Sequence, residues 1–312
     1  MTCPSIFEIL TRKIIFVTGK GGVGKTVLTE AIARGLAANR DGDEKNVLWV
    51  TIEDPAYPAG EVRALGDRLS HLNCDATQAF DEYVGMKIGI PTLAKIFTQN
   101  KLMKYLSQAA PGIHELVLLG KVWFERNHFD HVVVDMPSTG YGLAMFHSAY
   151  NFRKLFSGGP LYEDAGAMID SFSSARESGV IIAALPEEMP LREAIELDHF
   201  LLELFPENRS AFVVNRCFPE FDLTDAELKR KSPHSEAQQP VQSPVPTSLE
   251  DYAIKRTKLE KQNLKIWAEI DLLYSSIPYL LNATLSRDSL ITQLTATMET
   301  LGWFTAQTAR LK

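Results

Sequence analysis

The sequence predicts an α/β fold: a doubly wound, mostly parallel sheet with a helical subdomain inserted into it. Short runs rich in Val and Ile, without polar alternation, are typical of strands that are covered on both faces. Stretches with helical periodicity separate these runs, which indicates right-handed βαβ units. A glycine-rich turn follows the first run, at the edge of the sheet where ligands of such folds bind.

Six apolar runs are predicted to be the strands of the sheet, and the sixth is the weakest. Because the carboxyl ends of parallel strands meet at one edge, polar residues that follow these runs are expected to lie close together. The runs are residues 13–18, 47–52, 131–135, 180–185, 211–215 and 274–278.

Two helices are predicted directly from periodicity. Residues 26–38 follow the first strand and place Leu28, Ile32 and Leu36 on one face, as expected for a helix that covers a sheet. A charged helix is expected at 249–271.

Two insertions are expected to form the helical subdomain, above the carboxyl ends of the strands. They are residues 59–125 and 143–174, which have helical patterning and carry Met, Phe and Leu beside polar residues. Residues 231–248 are rich in Pro, Ser and Gln, which predicts a disordered loop. We interpret residues 1–312 as a single domain that includes these insertions.

Composition limits the class of protein. The 312 residues carry a net charge of −7, which argues against nucleic acid as the main partner because phosphate backbones attract basic surfaces. The sequence has no apolar run of about 18 residues and no recognisable signal peptide, so we expect a cytoplasmic location, either free or peripheral at a membrane. The cysteines, Cys3, Cys74 and Cys217, are too far apart to suggest a disulfide framework or a zinc clasp.

A phosphate-binding pattern, G-x-x-x-x-G-K-T, occupies residues 19–26. Glycines let such a loop wrap closely around phosphate groups, so that backbone N–H groups point inward. The pattern assigns Lys25 to the β- and γ-phosphates and Thr26 to Mg²⁺, and the following helix presents its positive dipole end to the anion. The predicted nucleotide-binding residues here are Gly19, Lys20, Gly21, Gly22, Val23, Gly24, Lys25, Thr26 and Val27.

Asp54 follows the second predicted strand and is a candidate catalytic residue. A carboxylate at this edge can orient the water that attacks the γ-phosphate. An aspartate here is equally typical of a turn or a helix N-cap. Glu53 is a second candidate, but strand alternation directs its side chain the other way.

Asp135 ends the strand HVVVD, as expected of a Walker B element whose carboxylate holds Mg²⁺. The turn that follows, residues 136–142, contains two glycines and can sense a γ-phosphate through its N–H groups. An apolar run that ends in Asp is a weak signal alone, and the phosphate-binding pattern at 19–26 makes it a strong one.

The motifs together resemble those of one ATPase family. KGGVGKT at 20–26, EDPA at 53–56 and DMPSTG at 135–140 look like the deviant Walker A ATPases, and more narrowly like the family of the arsenite-pump ATPase and the tail-anchored-protein targeting ATPases. VVNR at 213–216 is similar to a further strand of that family. The resemblance covers most of residues 12–290.

The resemblance implies an ATP-hydrolysing dimer, formed either by two copies of this chain or by this chain and a close relative. In that family two subunits face each other across two ATP molecules, and the lysine that corresponds to Lys20 reaches the phosphates of the partner. Asn215, with Arg216 beside it, is implied to contact the adenine. ATP and Mg²⁺ are the expected cofactors; the predicted catalytic residues are Asp54, Lys20 and Lys25, and the predicted metal ligands are Thr26 and Asp135.

This chain departs from the family pattern in the turns that follow Asp54 and Asp135. Tyr57 and Tyr141 stand where the family has histidines, and Met136 and Pro137 stand where it has Thr and Ala. These departures leave the rate of hydrolysis open. The zinc-binding CxxC pair of the eukaryotic targeting factors is absent from the sequence, and the isolated Cys74 is not matched to a metalloid site.

Three functions remain in competition. The first is a dimeric switch whose helical subdomain binds an apolar client segment, motivated by Met and Phe in 86–110 and 144–172. The second is a partitioning or positioning ATPase resembling ParA or MinD, acting on DNA or membrane, although the tail is nearly neutral. The third, an electron-transfer ATPase with a shared iron–sulfur cluster, is disfavoured because Cys74 and Cys217 lack the required sequence setting.

Overall fold

The computed structural model of this chain describes residues 3–38, 45–88, 112–155, 157–218, 249–269, 272–280 and 286–305. Within these ranges eight strands form one sheet. The strands are β1 (Ile14–Gly19), β2 (Val47–Ile52), β3 (Arg63–Ala64), β4 (Leu69–Cys74), β5 (His131–Asp135), β6 (Ser178–Ala184), β7 (Ala211–Cys217) and β8 (Tyr274–Pro278).

The strand order is β3-β4-β2-β5-β1-β6-β7-β8. All neighbours are parallel except β3 and β4, which pair antiparallel at one edge. In register, Asp135 at the end of β5 lies between Val17 of β1 and Thr51 of β2. The predicted fold class is confirmed, and the carboxyl ends of β1, β2 and β5 meet at one edge.

Helices cover both faces of the sheet. They are α1 (Ile6–Leu10), α2 (Lys25–Ala38), α3 (Ala76–Ile88), α4 (Ile113–Glu125), α5 (Thr139–Leu155), α6 (Pro160–Ser173), α7 (Glu188–Leu204), α8 (Leu249–Glu269) and α9 (Arg287–Thr300). No helix among the described residues is long and apolar enough to span a membrane.

Two apolar clusters, one on each face, hold the layers together. Consecutive residues of a strand point to opposite faces, so Phe16 packs into the cluster with α3 to α8, while Ile15 packs into the cluster with α1, α2 and α9. Both side chains are buried. Helix α2, which follows the phosphate-binding pattern, and helices α3 to α6 therefore lie on opposite faces.

The expectation that residues 59–125 belong to a helical subdomain is wrong for their first part, where β3 and β4 extend the sheet. The sequence of β4, LSHLNC, lacks a continuous apolar run because His71 and Asn73 are polar. Both side chains are nevertheless buried, and hydrogen bonds to neighbouring groups satisfy them. Such a strand does not show the apolar signal on which the prediction depended.

The Met and Phe residues of 144–172 that the structure describes are core residues rather than a free surface. Met145, Phe146, Phe152, Met168 and Phe172 are all buried in the cluster beneath the helices. They therefore give no support to a client surface, in contrast to the reason for which they were singled out. The predicted loop at 231–248 and residues 89–110 of the client hypothesis lie outside the described residues.

Candidate functional site

The phosphate-binding loop connects β1 to α2 and depends on its glycines. Gly19 has φ +142°, and a Cβ there would lie 2.2 Å from the carbonyl oxygen of Ala183 on β6. Gly24 has φ +92°, and a Cβ there would lie 2.6 Å from the side-chain Nδ2 of Asn215. Both positions therefore exclude a side chain, which keeps the loop close to the neighbouring strands.

Lys25 begins α2, and its ammonium lies over the loop. Its Nζ donates a hydrogen bond of 3.0 Å to the carbonyl oxygen of Lys20. Burial lowers the pKa of Lys25, and the nearby carboxylate of Asp135 acts in the opposite direction. The structure thus brings the predicted lysine and the predicted Walker B aspartate together.

Asp135 carries a buried carboxylate beside Thr26. Burial raises the pKa of Asp135 to about 6, while a hydrogen bond from Thr26 and the charge of Lys25 act to lower it. Its Oδ1 atom is buried and accepts no hydrogen bond from the described residues. This buried carboxylate oxygen can still accept a bond, and it lies next to the hydroxyl group of Thr26. Such a pair of oxygen atoms suits a hard cation such as Mg²⁺, which binds oxygen ligands. Thr26 and Asp135 therefore fit the predicted metal.

Asp54 lies in the turn after β2. Its Oδ1 atom accepts a 2.8 Å hydrogen bond from the backbone N–H of Ala56, an arrangement that fixes the turn. Its negative charge also contributes to the raised pKa of Asp135. The structure thus places Asp54 at the same edge as the phosphate-binding loop, and its carboxylate is partly engaged in the local turn.

Glu53 contacts α4, one of the helices α3 to α6 that form a helical layer on one face of the sheet. Its backbone adopts φ +47°, a left-handed conformation that is costly for a residue other than glycine. Its Oε1 lies 2.9 Å from Nε2 of His114, in the first turn of α4. The residue next to Asp54 therefore connects the nucleotide edge of the sheet to the helical layer.

Lys20 forms an ion pair within its own chain. Its Nζ lies 2.6 Å from Oε1 of Glu193 on α7, and both side chains are partly exposed. The lysine predicted to act on a partner subunit is thus directed out of its own loop. Ser138, Thr139 and Phe200 line the cavity around this pair, which has a volume of about 320 Å³.

The two residues predicted to contact the base lie against the loop. The Nδ2 atom of Asn215 donates a 2.8 Å hydrogen bond to the carbonyl oxygen of Val23. Arg216 has φ +60° and donates its backbone N–H to Oδ1 of Asn215 at 2.9 Å. The end of β7 is therefore tied to the phosphate-binding loop.

Tyr57 lies in an aromatic cluster that the sequence analysis did not anticipate. Its ring centroid lies 5.5 Å from that of Trp49 and 4.6 Å from that of His71. The guanidinium of Arg287, from the first turn of α9, lies 5.5 Å from the Tyr57 centroid and 3.0 Å from a carboxylate oxygen of Glu30. The position where the family has a histidine is thus occupied by a packed phenol.

Both tyrosines that replace family histidines are neutral near pH 7. Burial raises the pKa of Tyr57, and it raises the pKa of Tyr141 to about 12. Neither hydroxyl can supply the proton chemistry of an imidazole at neutral pH.

A groove of about 250 Å³ lies between α3, α4 and α6. Its rim is charged: Asp164 accepts a 2.9 Å hydrogen bond from Tyr83 and lies 2.8 Å from Nζ of Lys87. Met86, which is half exposed, and Leu161 contribute apolar surface. The groove can therefore hold an apolar group with polar ends.

Comparison with known proteins is consistent with this site. The sequence profile of the anion-transporting ATPase family matches residues 12–158, which contain the phosphate-binding loop, Asp54 and Asp135. ATPase BagA of Mycobacterium tuberculosis (strain ATCC 25618 / H37Rv) is 26% identical over 229 residues, which are 66% of this chain and 66% of that protein.

Two further relatives come from other organisms. ATPase get3 of Pyrenophora tritici-repentis (strain Pt-1C-BFP) is 28% identical over 239 residues, covering 72% of this chain and 66% of that protein. Putative arsenical pump-driving ATPase 2 of Aquifex aeolicus (strain VF5) is 24% identical over 249 residues, covering 67% of this chain and 81% of that protein. The chain spans 66% of the length of the mycobacterial and fungal relatives.

Proposed function

We propose, from the premise that this chain belongs to the anion-transporting ATPase family, that it binds and hydrolyses ATP and acts as a dimeric switch. The observation that carries the proposal is the meeting of Lys25, Thr26 and Asp135 at the carboxyl edge of the sheet. The match to residues 12–158 favours this function over a partitioning or positioning ATPase.

The proposed chemistry assigns one role to each residue at this edge. The N–H groups of the loop and the ammonium of Lys25 bind the phosphates and neutralise charge on the γ-phosphoryl oxygens. Thr26 and Asp135 would hold Mg²⁺, which supplies further neutralisation of the phosphates when bound. Asp54 orients the attacking water, and Asn215 with Arg216 contacts the base.

A dimer is proposed because the side chain of Lys20 is directed away from its own loop. Its ammonium lies on Glu193 at the surface, where a second subunit could bring its phosphates within reach. The partner is a second copy of this chain or a close relative, and Lys20 would contribute a charge to the partner's transition state.

The helical layer is proposed to bind an apolar client segment and to move with the nucleotide state. Two observations support this: the groove between α3, α4 and α6, and the contact of Glu53 with His114. Rearrangement of the turn at 53–57 on hydrolysis would change the support of α4, and the groove would change with it.

The mass of Asp54→Asn, measured by light scattering with and without ATP–Mg²⁺, tests the switch. The variant should bind ATP, turn over at least about 100-fold more slowly than the wild type, and double from 34.8 kDa. Lys25→Ala is the control, because it should lose nucleotide affinity and keep its mass. A mass of 34.8 kDa with and without nucleotide would rule out the proposed contact of Lys20 with a partner.

The client role is tested with a synthetic apolar helical peptide as the probe. Gly120 lines the groove, so Gly120→Leu should fill it and weaken peptide binding by about tenfold, through lost burial of apolar surface. ATP turnover should not change. Equal peptide binding by wild type and variant would contradict the assignment of the groove.

A further inference from the structure

Asn73 lies beneath the turn that carries Asp54 and is 3% exposed. It is the penultimate residue of β4 and pairs in register with Thr51 of β2. A buried amide is costly unless its hydrogen-bonding groups find partners. The hydrogen-bond partners of the Asn73 side chain therefore indicate its role.

The side chain of Asn73 makes four hydrogen bonds, three of them to the turn. Its Oδ1 accepts from the backbone N–H of Asp54 at 3.0 Å and from Oγ1 of Thr51 at 3.1 Å. Its Nδ2 donates to the carbonyl oxygens of Asp54 and Tyr57, both at 2.8 Å. An amide has two donors and two acceptor sites, so its full capacity is used.

The backbone of Asn73 adds a fifth contact at the far end of the turn. Its carbonyl oxygen accepts a 2.8 Å hydrogen bond from the N–H of Gly60. One residue of β4 therefore binds the chain before Asp54, at Thr51, and after it, at Tyr57 and Gly60. With the backbone of Asp54 held at its N–H and its C=O, rotation about the two side-chain torsions alone sets the direction of the carboxylate.

We infer that Asn73 is a positioning residue for Asp54 in the ATP hydrolysis proposed above, an inference that rests on that proposed function. The chemistry requires an amide. Asp in its place would present oxygens where two carbonyl groups need donors, and Leu would leave all the partner groups of the turn unpaired. Packing alone does not require Asn, because an apolar residue would fill the same volume.

The test compares Asn73→Asp with a matched change at Asn208. Asn208 is also buried, and its Nδ2 donates to the carbonyl oxygens of Phe172 at 2.8 Å and Ser178 at 3.1 Å. Asn208→Asp therefore removes the same two donors from backbone carbonyls outside the proposed site. Turnover and nucleotide Kd are measured at a temperature where circular dichroism shows both variants folded.

The expected result is a split between catalysis and binding. Asn73→Asp should lower kcat by about 10- to 100-fold, since small misplacement of a reacting group costs this much, with the nucleotide Kd within about threefold of the wild type. Asn208→Asp should leave kcat unchanged. Should Asn73→Asp not fold, Asn73→Ser, which adds no charge beside Asp54, is measured in its place.

A double-mutant cycle makes the inference specific to Asp54. Because Asn73 acts through Asp54, adding Asn73→Asp to Asp54→Asn should cause no further loss of kcat. A full further loss in the double variant, or a kcat of Asn73→Asp within twofold of the wild type, would overturn the positioning role alone. A wild-type protein without ATP turnover would overturn the proposed function, and the positioning role with it.

Discussion

The Nζ atom of Lys20 lies 2.6 Å from Oε1 of Glu193, so the lysine that follows the first loop glycine is held by a helix of its own chain. To reach the phosphates of another subunit, as proposed, Lys20 has to leave this carboxylate. Both side chains are partly exposed, and exposed ion pairs contribute about 0–1 kcal/mol. Glu193 is therefore a weak competitor of the proposed dimer.

Glu193→Gln should promote the ATP-dependent dimer. Removing the competing charge frees Lys20. Each pair of this exposure is worth at most about fivefold, so the two pairs in a dimer of this chain should lower the dimer dissociation constant by at most about 25-fold. The dimer dissociation constant is measured by light scattering over a range of protein concentrations with ATP–Mg²⁺ present. Asp54→Asn is compared with the double variant that also carries Glu193→Gln. Glu196→Gln on the same cavity changes the same charge and is the control. An equal shift in both variants would mean that net charge, rather than release of Lys20, is responsible.

Glu53→Gly should uncouple the helical layer from the nucleotide. Glycine suits the left-handed backbone at this position, so the variant loses the 2.9 Å contact with His114 while the turn is retained. The ATP-dependent change in hydrogen exchange of α4 should disappear, with turnover within about threefold of the wild type since the contact is surface-exposed. His114→Ala should give the same result.

His128→Ala serves as the control for that experiment. His128 lies beyond the other end of α4, 3.5 Å from Glu125. The His128→Ala variant should retain the ATP-dependent change in hydrogen exchange of α4. If Glu53→Gly also retains this change, α4 responds to the nucleotide through contacts other than that of Glu53 with His114.

His71 should make the protein less stable as the pH falls. Burial lowers the pKa of His71 to about 4, with Asp54 acting to raise it and Arg287 and Arg63 acting to lower it. Between about pH 6.5 and pH 4 the unfolded chain binds a proton at this residue and the folded chain does not. The free energy of unfolding therefore falls as pH decreases through this range, by up to about 3 kcal/mol.

Urea unfolding at pH 7.5 and pH 4.5 measures this dependence. His71→Gln keeps a polar group near Thr51, which lies 3.0 Å from Nε2 of the imidazole. The variant should lose less stability on acidification than the wild type, and only the difference between the two is assigned to His71. If wild type and variant lose the same free energy of unfolding between pH 7.5 and pH 4.5, groups other than His71 cause the loss of stability at low pH.

Gly35→Ala should destabilise the protein, although alanine favours helix. Gly35 lies in the last turn of α2, where a Cβ would be 2.1 Å from the ring of Phe304, which is 6% exposed. Overpacking of a buried ring costs about 1–3 kcal/mol. Urea unfolding of Gly35→Ala, alone and with Phe304→Leu, should show partial rescue in the double variant.

Gly120→Ala on α4 is the matched change in an open position. A Cβ there would lie 3.8 Å from the sulfur of Met168, an ordinary contact. It should stabilise the protein by up to about 1 kcal/mol, the helix propensity difference between the two residues. Stabilisation by both variants would mean that Phe304 moves aside.

Much of the fold and of the loop was predictable because the relevant signals are local. The apolar runs of β1, β2, β5, β6 and β7 are continuous, and all six predicted strands differ from the observed ones by at most two residues at an end. Three glycines of the loop, Gly19, Gly22 and Gly24, have the positive φ that favours glycine at those same positions. Signals of this kind are contained in a few consecutive residues.

The buried polar residues of β4 that hydrogen-bond to Thr51 and to the turn at 54–57 were not predictable from the sequence. Asn73 and His71 alternate with Leu72 in a strand of mixed polarity, and each is buried only because Thr51 and the turn at 54–57 supply partners. The Glu53 backbone is similarly held away from strand geometry. Tertiary contacts decide these positions, and no local pattern encodes them.

The packing of α9 against α2 has a consequence for synthesis of the chain. The phosphate-binding loop and α2 are made early, yet Ile291, Leu294 and Met298 of α9 cover the same apolar cluster as α2, and Thr295 donates a 3.3 Å hydrogen bond to the carbonyl oxygen of Ala31. A growing chain on the ribosome therefore carries this face of α2 uncovered until α9 has left the exit tunnel. A nascent chain truncated before α9 should be more susceptible to protease than the finished one, with new cleavage in α2.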